Sequence, residues 1–213
     1  MRRPRNLARV VSFVAIGVCL LAVHALAQDC PELVGRWSLE PPWQVGRAVA
    51  VSGDYLHLAW GRLTIADVSD PAAPVEVGFV DTPDIAYGVA VSGGHAFVAA
   101  GYDGVRVIDL STPSSPVEVG VLDTPGDALG VAVSGGYAYV ADGSSVRVID
   151  VSTPSAPVEV ASVDTYALDI AVSSDHAYVA AYGGLVVIDV STPSAPVEVG
   201  FVDTLASDVA VSG

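Results

Sequence analysis

The polar residues that could bind a ligand lie at the few places where an otherwise regular sequence varies. The tripeptide Ala-Val-Ser recurs five times, and the residues shortly before it differ from copy to copy. The six candidates there are Arg47, Tyr87, Asp84, Asp127, Asp169 and Asp208. Ca²⁺ prefers several oxygen ligands, so we expect a polar or cation site, with calcium possible through Asp169 and Asp208. The alternative is ordinary loop variation with solvated charges.

Patterns of a catalytic site are missing from the sequence. It has no Gly-x-Ser-x-Gly elbow, no phosphate-binding loop and no dinucleotide fingerprint. His57, His95 and His176 are the histidines beyond the first 27 residues. His95 and His176 share a repeat position that tyrosine fills elsewhere, which indicates half-buried strand residues rather than a base beside a nucleophile. We therefore expect no catalytic residue, and the sequence favours a protein that is not an enzyme.

A repeat of about forty residues organises the chain. One aspartate marks each copy, followed by Ser and then a proline; the four are Asp67, Asp109, Asp150 and Asp189. The motif Pro-Val-Glu-Val and the dipeptide Asp-Thr recur at the same period. Because the marker aspartates occur in every copy, we expect a structural role in which each carboxylate accepts backbone N–H bonds at a corner.

Each repeat contains four short runs rich in Val, Ile, Tyr and Phe, separated by Gly-rich turns and a Pro-rich corner. In the second repeat the runs are about 86–91, 95–100, 104–110 and 116–122. Four strands per repeat of this length predict an all-β fold, a β-propeller of four-stranded blades. The predicted blades span about 45–80, 86–122, 128–163 and 167–202, with a partial one at 206–213 and an orphan outer strand at 31–37.

The count of four full repeats plus two orphan strands predicts an incomplete ring. We expect a fragment of a longer propeller, which could carry a surface anchor, and the alternative is closure by self-association. Unpaired strand edges favour pairing with another chain.

The segment Leu185–Ser191 resembles the consensus of the LVIVD repeat, found in secreted bacterial β-propeller proteins. Segments 105–111 and 146–152 match it too, and 63–69 matches more weakly, with Thr64 and Ala66 as departures. The resemblance covers nearly all of residues 31–213 and implies the propeller architecture. It implies no shared reaction, because a fold does not determine a function.

The first 27 residues have the pattern of a cleaved signal peptide. Four arginines precede an apolar stretch that ends in Ala25-Leu26-Ala27; an uncleaved membrane anchor is the alternative. We therefore expect residues 28–213 to be secreted, periplasmic or on a bacterial cell surface, with no membrane span after cleavage. Cys30 is then the one remaining cysteine, which suggests a free thiol or a partner elsewhere.

Beyond residue 27 the chain carries a net charge of −19 and no lysine. Such a surface repels phosphates, so we expect no nucleic-acid partner. The leading hypothesis is an extracellular binding or scaffold module, with a protein or a glycan as partner. The alternatives are a hydrolase or lyase that acts on a polymer at the channel mouth, and a propeller domain of a longer surface-anchored protein.

Overall fold

The computed structural model describes residues 46–211, which form sixteen strands in four antiparallel four-stranded sheets. Blade 1 consists of β1 (Ala48–Ser52), β2 (Tyr55–Ala59), β3 (Arg62–Asp67) and β4 (Val75–Asp81). Blade 2 consists of β5 (Gly88–Ser92), β6 (His95–Ala99), β7 (Val105–Asp109) and β8 (Val117–Leu122). Blade 3 consists of β9 (Gly130–Ser134), β10 (Tyr137–Ala141), β11 (Ser145–Asp150) and β12 (Val158–Asp164). Blade 4 consists of β13 (Ala167–Ser173), β14 (His176–Ala181), β15 (Gly184–Asp189) and β16 (Val197–Asp203).

Sequential pairing within each blade confirms the predicted all-β fold of four-stranded blades. Residues 46–211 contain no helix long and apolar enough to cross a membrane. The predicted signal peptide, the predicted orphan strand at 31–37 and Cys30 lie outside the described residues.

Tight turns join the first two strands of every blade, and each contains at least one residue with positive φ. Glycine supplies it in the first three blades, as at Gly93 with φ of 58°. In blade 4 the same place is taken by Ser174, with φ of 53°. A serine there costs backbone strain that glycine avoids, so the turn geometry is fixed by the blade rather than by the local sequence.

The marker aspartates fix the corner after the third strand. The Oδ1 of Asp109 accepts the backbone N–H of Ser111 at 2.7 Å, and Asp67, Asp150 and Asp189 accept the equivalent bond at 2.8 to 2.9 Å. Hydrogen bonds from the following serine hold the pKa of all four carboxyls below the usual value. These carboxylates are therefore committed to the corner.

The hydrophobic core lies between neighbouring blades. Phe97 and Val107 of blade 2 pack with Val131 and Val140 of blade 3, and an equivalent cluster joins each other pair. The inner strands β1, β5, β9 and β13 lie side by side in that order. Side chains of one blade are thus buried only when the next blade covers them, as expected for stacked repeats.

In blades 1 and 2 a glycine of the outer strand receives the corner of the following blade, whereas Ala161 has this place in blade 3. A Cβ on Gly78 would overlap the carbonyl oxygen of Pro113, and a Cβ on Gly120 would overlap that of Pro154. The equivalent Gly200 in blade 4 meets only the side chain of Val187, at 3.7 Å. We call the side of a blade that faces the next one its forward face. Among residues 46–211 nothing packs on the forward face of blade 4 at Gly200, and the ring is not closed, as the sequence predicted.

Candidate ligand-binding end of the blade array

All six candidate residues lie at one end of the array. The inner strands begin at this end, the second and fourth strands of each blade finish there, and the Pro-rich corners lie at the opposite end. We call this end the mouth. Because neighbouring inner strands run side by side, residues one repeat apart come into contact here. Four of the candidates therefore meet in two pairs rather than in one cluster, and Asp84 and Asp127 lie in separate loops.

Arg47 and Tyr87 form one of these pairs. Each precedes the inner strand of its blade by one residue, in blades 1 and 2 respectively. The guanidinium carbon of Arg47 lies 4.5 Å from the centre of the Tyr87 ring. Such stacking is worth about 0.5–1 kcal/mol at an exposed site. The pair presents a fixed positive charge beside a phenol at the mouth.

Asp169 and Asp208 form the second pair. Asp169 lies in β13, and Asp208 lies one repeat later, in the segment that runs past β13 after the last strand. The Oδ2 of Asp169 accepts the backbone N–H of Val209 at 2.9 Å. A Cβ on Gly130 of blade 3 would lie 2.6 Å from its Oδ1. The Asp169 carboxyl is thus held between the blade 3 strand and the segment around Val209.

Burial, and secondly a side-chain hydrogen bond with Asp208, raise the pKa of Asp169 to about 7. Two carboxylates in hydrogen-bond contact cannot both ionise cheaply, so the pair shares a proton near neutral pH. The Asp169 carboxyl is neutral below that pH and negatively charged above it. The charge that the mouth offers a ligand therefore changes within the physiological range.

Asp84 and Asp127 lie in the loops that lead into blades 2 and 3. The Asp84 carboxylate accepts the N–H of Ile85 at 2.7 Å and that of Tyr102 at 3.1 Å. A Cβ on Gly101, whose φ is 55°, would lie 2.5 Å from the Oδ2 of Asp84. Asp84 therefore ties two loops together. Asp127 is half-buried, and its backbone contacts the Gly143 position.

The structure does not bring the six candidates into a metal centre. In residues 46–211 no group of three or more His, Cys, Asp or Glu side chains could hold a metal ion. Asp169 and Asp208 supply oxygens from two carboxyls, whereas Ca²⁺ takes six to eight ligands. Calcium at this pair would need most of its ligands from water or from the bound partner.

Comparison with known proteins identifies the repeat. The family model of the LVIVD repeat matches residues 46–82, 84–124, 125–165 and 166–204. The chain belongs to the LVIVD repeat family. These four LVIVD repeats correspond to the four blades.

A solved structure has the same fold. The crystal structure of a functionally unknown protein from Desulfotomaculum acetoxidans DSM 771 superposes with a TM-score of 0.66 at 17% identity. The match covers 78% of this chain and 61% of that one, so the LVIVD chain corresponds to less than two thirds of its length. The chain has no significant match among curated protein sequences. The likeness thus establishes a fold and no function.

The LVIVD array contains a buried ion pair that sequence reasoning missed. Asp142, fully buried after β10, accepts the Nε–H of Arg147 at 2.7 Å and hydrogen bonds from Ser144 and Ser145. Arg147 also contacts Glu159 of the outer strand at 3.3 Å. Blade 2 has the equivalent pairing of its arginine with the outer-strand glutamate. Aligning the repeats on the marker aspartate would have shown arginine three residues earlier in both blades.

Proposed function

We propose that this LVIVD-repeat protein is a binding or scaffold module that works outside the cell. The observation that supports it is the pairing at the mouth, where Arg47 stacks on Tyr87 and Asp169 contacts Asp208. Within residues 46–211 these side chains are fixed by neighbouring blades, but none forms a nucleophile–base pair. Such preorganised polar groups serve recognition. The predicted signal peptide places the module outside the cell.

The partner is an extracellular protein or a glycan with a polar or basic group for the carboxylate pair. The net charge of −19 beyond residue 27 attracts basic groups and repels anionic ones. A guanidinium or ammonium group could be held between the two carboxyls. Calcium, if it takes part, would bridge the same pair to the partner.

Saturable binding to intact cells tests this proposal. The protein is labelled with a fluorophore and titrated onto cells of its source organism. The bound signal is measured for the native sequence and for two double variants, Asp169→Asn/Asp208→Asn and Asp54→Asn/Asp175→Asn. The last variant is a charge-matched control, since Asp54 and Asp175 are exposed at the opposite end. We expect the first double variant alone to weaken binding at least tenfold. Absence of saturable binding, or equal loss in both variants, would contradict the proposal.

Export is tested separately by the mass of the secreted protein. Cleavage after Ala27 should remove the leader, and the product should appear outside the cytoplasm. A product retained in the cytoplasm would contradict the extracellular part of the proposal. A mass well above that of residues 28–213 would favour the third hypothesis, in which these blades belong to a longer surface-anchored protein.

A hydrolase or lyase that acts on a polymer is the second candidate. The raised pKa of Asp169 favours it, because a carboxyl that stays protonated near pH 7 can act as a general acid. The expected result is loss of polymer cleavage in Asp169→Asn/Asp208→Asn, measured as release of reducing ends. Unchanged turnover in that variant would remove this candidate.

A further inference from the structure

A cleft opens at the mouth between blades 3 and 4, and none of the six candidate residues lines it. It has a volume of about 340 Å³. Side chains from both blades line it, among them Ser144, Asp164, Thr165, Tyr166, Tyr182 and Phe201. The aromatic members are unusually open to solvent: Tyr182 is 85% exposed, Tyr166 69% and Phe201 55%. Three exposed aromatic side chains around one cleft indicate a binding surface rather than a core.

The cleft exists because blade 4 lacks the ion pair of blade 3. In blade 3, Arg147 and Asp142 form a buried ion pair at this place. At the equivalent positions blade 4 has Val186 and Ala181, and both line the cleft. Replacement of a long charged pair by two small apolar side chains leaves the space open. This difference makes blade 4 unlike the other repeats. A structural contact is expected to recur in every repeat, whereas a binding site is expected at one place only.

The backbone positions from which the two tyrosine side chains project are fixed relative to each other. The N–H of Tyr182 donates to the carbonyl oxygen of Tyr166 at 2.9 Å, so the two loops that carry the tyrosines are tied together. The Phe201 ring lies against Gly184, where a Cβ would come within 2.6 Å of it. Such preorganisation lowers the entropy lost when a ligand binds.

The lining chemistry defines the ligand class. The apolar faces of aromatic rings suit the C–H faces of a sugar ring. The hydroxyls of Ser144 and Thr165 and the carboxylate of Asp164 can pair with sugar hydroxyls. No lysine, arginine or histidine lines the cleft, and the carboxylate repels anionic ligands. We propose that this cleft binds an uncharged saccharide, at a site separate from the candidate pairs.

The competing occupant is a basic peptide attracted by the acidic surface. The two differ in their response to salt, because screening weakens attraction between charges and leaves binding of a neutral ligand almost unchanged. A saccharide should therefore bind equally at 50 mM and 500 mM NaCl, whereas a basic peptide should bind less at the higher concentration.

Isothermal titration of the full secreted chain with cellohexaose, mannohexaose and chitohexaose tests the proposal. We expect at least one of them to bind saturably, with salt-independent affinity. Tyr182→Ala and Tyr166→Ala should each lower that affinity about tenfold or more. Tyr102→Ala is the matched control, because Tyr102 is 82% exposed at the same end but does not line the cleft.

Ala181→Asp/Val186→Arg supplies a second variant, since it places in blade 4 the ion pair that Asp142 and Arg147 form in blade 3. It should abolish saccharide binding while the circular dichroism spectrum stays unchanged. No binding of any of the three at millimolar concentration, equal effects of Tyr182→Ala and Tyr102→Ala, or binding only of an oligo-arginine peptide would overturn the proposal. Cell binding that depends on Asp169 would stand in any of these cases, so failure here is distinguishable from failure of the proposed function.

Discussion

At the scale of single residues, His57 is a polar side chain buried in the hydrophobic core. It is 3% exposed in β2, and its Nδ1 has no hydrogen-bond partner. Phe97, Tyr139 and Tyr178 occupy the equivalent positions in the other blades. The site is thus built for an aromatic ring, and the histidine brings a ring nitrogen that the surroundings do not satisfy.

We predict that His57→Phe makes the protein more resistant to acid. Burial lowers the pKa of His57 to about 4. The unfolded chain binds this proton below about pH 6.5 and the folded chain only below about 4, so native stability falls as the pH drops through that window. The loss should approach about 3 kcal/mol. The free energy of unfolding, measured with urea from pH 7 to 4, should show this loss in the native sequence and not in His57→Phe. If stability falls equally with pH in both proteins, the lowered pKa of His57 is contradicted.

The pair Asp169 and Asp208 at the mouth should change native stability with pH in the opposite direction to His57. The folded state holds the Asp169 proton up to about pH 7, while the unfolded chain releases it near pH 4. Raising the pH through this window therefore removes native stability, and below pH 4 or above 7 the contribution is constant. Asp169→Asn should abolish this decline. A ¹³C titration of the side chain that finds its midpoint near pH 4 would refute the raised pKa.

The sequence indicated both members of each mouth pair but not that they touch. Repeat alignment places Arg47 with Tyr87 and Asp169 with Asp208 at equivalent positions of successive copies. Contact follows only once inner strands are known to lie side by side in register. The burial of His57 was not predicted, although aligning the repeats on Ala-Val-Ser places it at the position that an aromatic residue fills in the other three blades.

At the scale of elements, the Asp142–Arg147 pair sets blade 3 apart from blade 4. Its carboxylate is fully buried, so removal of the arginine leaves a charge without its counterion. We predict that Arg147→Met destabilises the protein by about 3 kcal/mol, because a broken buried pair typically costs 3–5 kcal/mol. Chemical unfolding at pH 7 measures the change.

The double variant Asp142→Ala/Arg147→Val is the control. It installs in blade 3 the two residues that blade 4 carries as Ala181 and Val186. We expect it to recover most of the stability that Arg147→Met loses, since an apolar replacement leaves no buried charge. A double variant less stable than Arg147→Met would contradict the electrostatic explanation.

Strand positions were predictable because four copies of one pattern average out local ambiguity. In the second repeat the expected runs agree with β5 to β8 within about two residues at each end. The cleft between blades 3 and 4 was not predictable, because Val186 and Ala181 look like ordinary strand residues. Only packing against Ser144 and Tyr166 shows that both face the same space.

At the scale of the whole molecule, each blade is completed by its successor. Core clusters join successive blades, and the outer-strand glycines Gly78 and Gly120 accept the next blade's corner. Gly200 has the same place in blade 4 without a corner upon it. Val202, two residues further along the same strand and therefore on the same face, is 55% exposed. Composition and repeat length predicted the stacking, but which face stays open became visible only from these contacts.

Four equivalent blades stack in this molecule, and the forward face of the fourth is open at Gly200. Thermal unfolding of three variants tests this arrangement most directly: Gly78→Ala, Gly120→Ala and Gly200→Ala. Overpacking costs about 1–3 kcal/mol where the new methyl group meets fixed backbone. We expect that loss for Gly78→Ala and Gly120→Ala, and almost none for Gly200→Ala. An equal loss in all three variants would mean that another blade covers Gly200 and would contradict the open face.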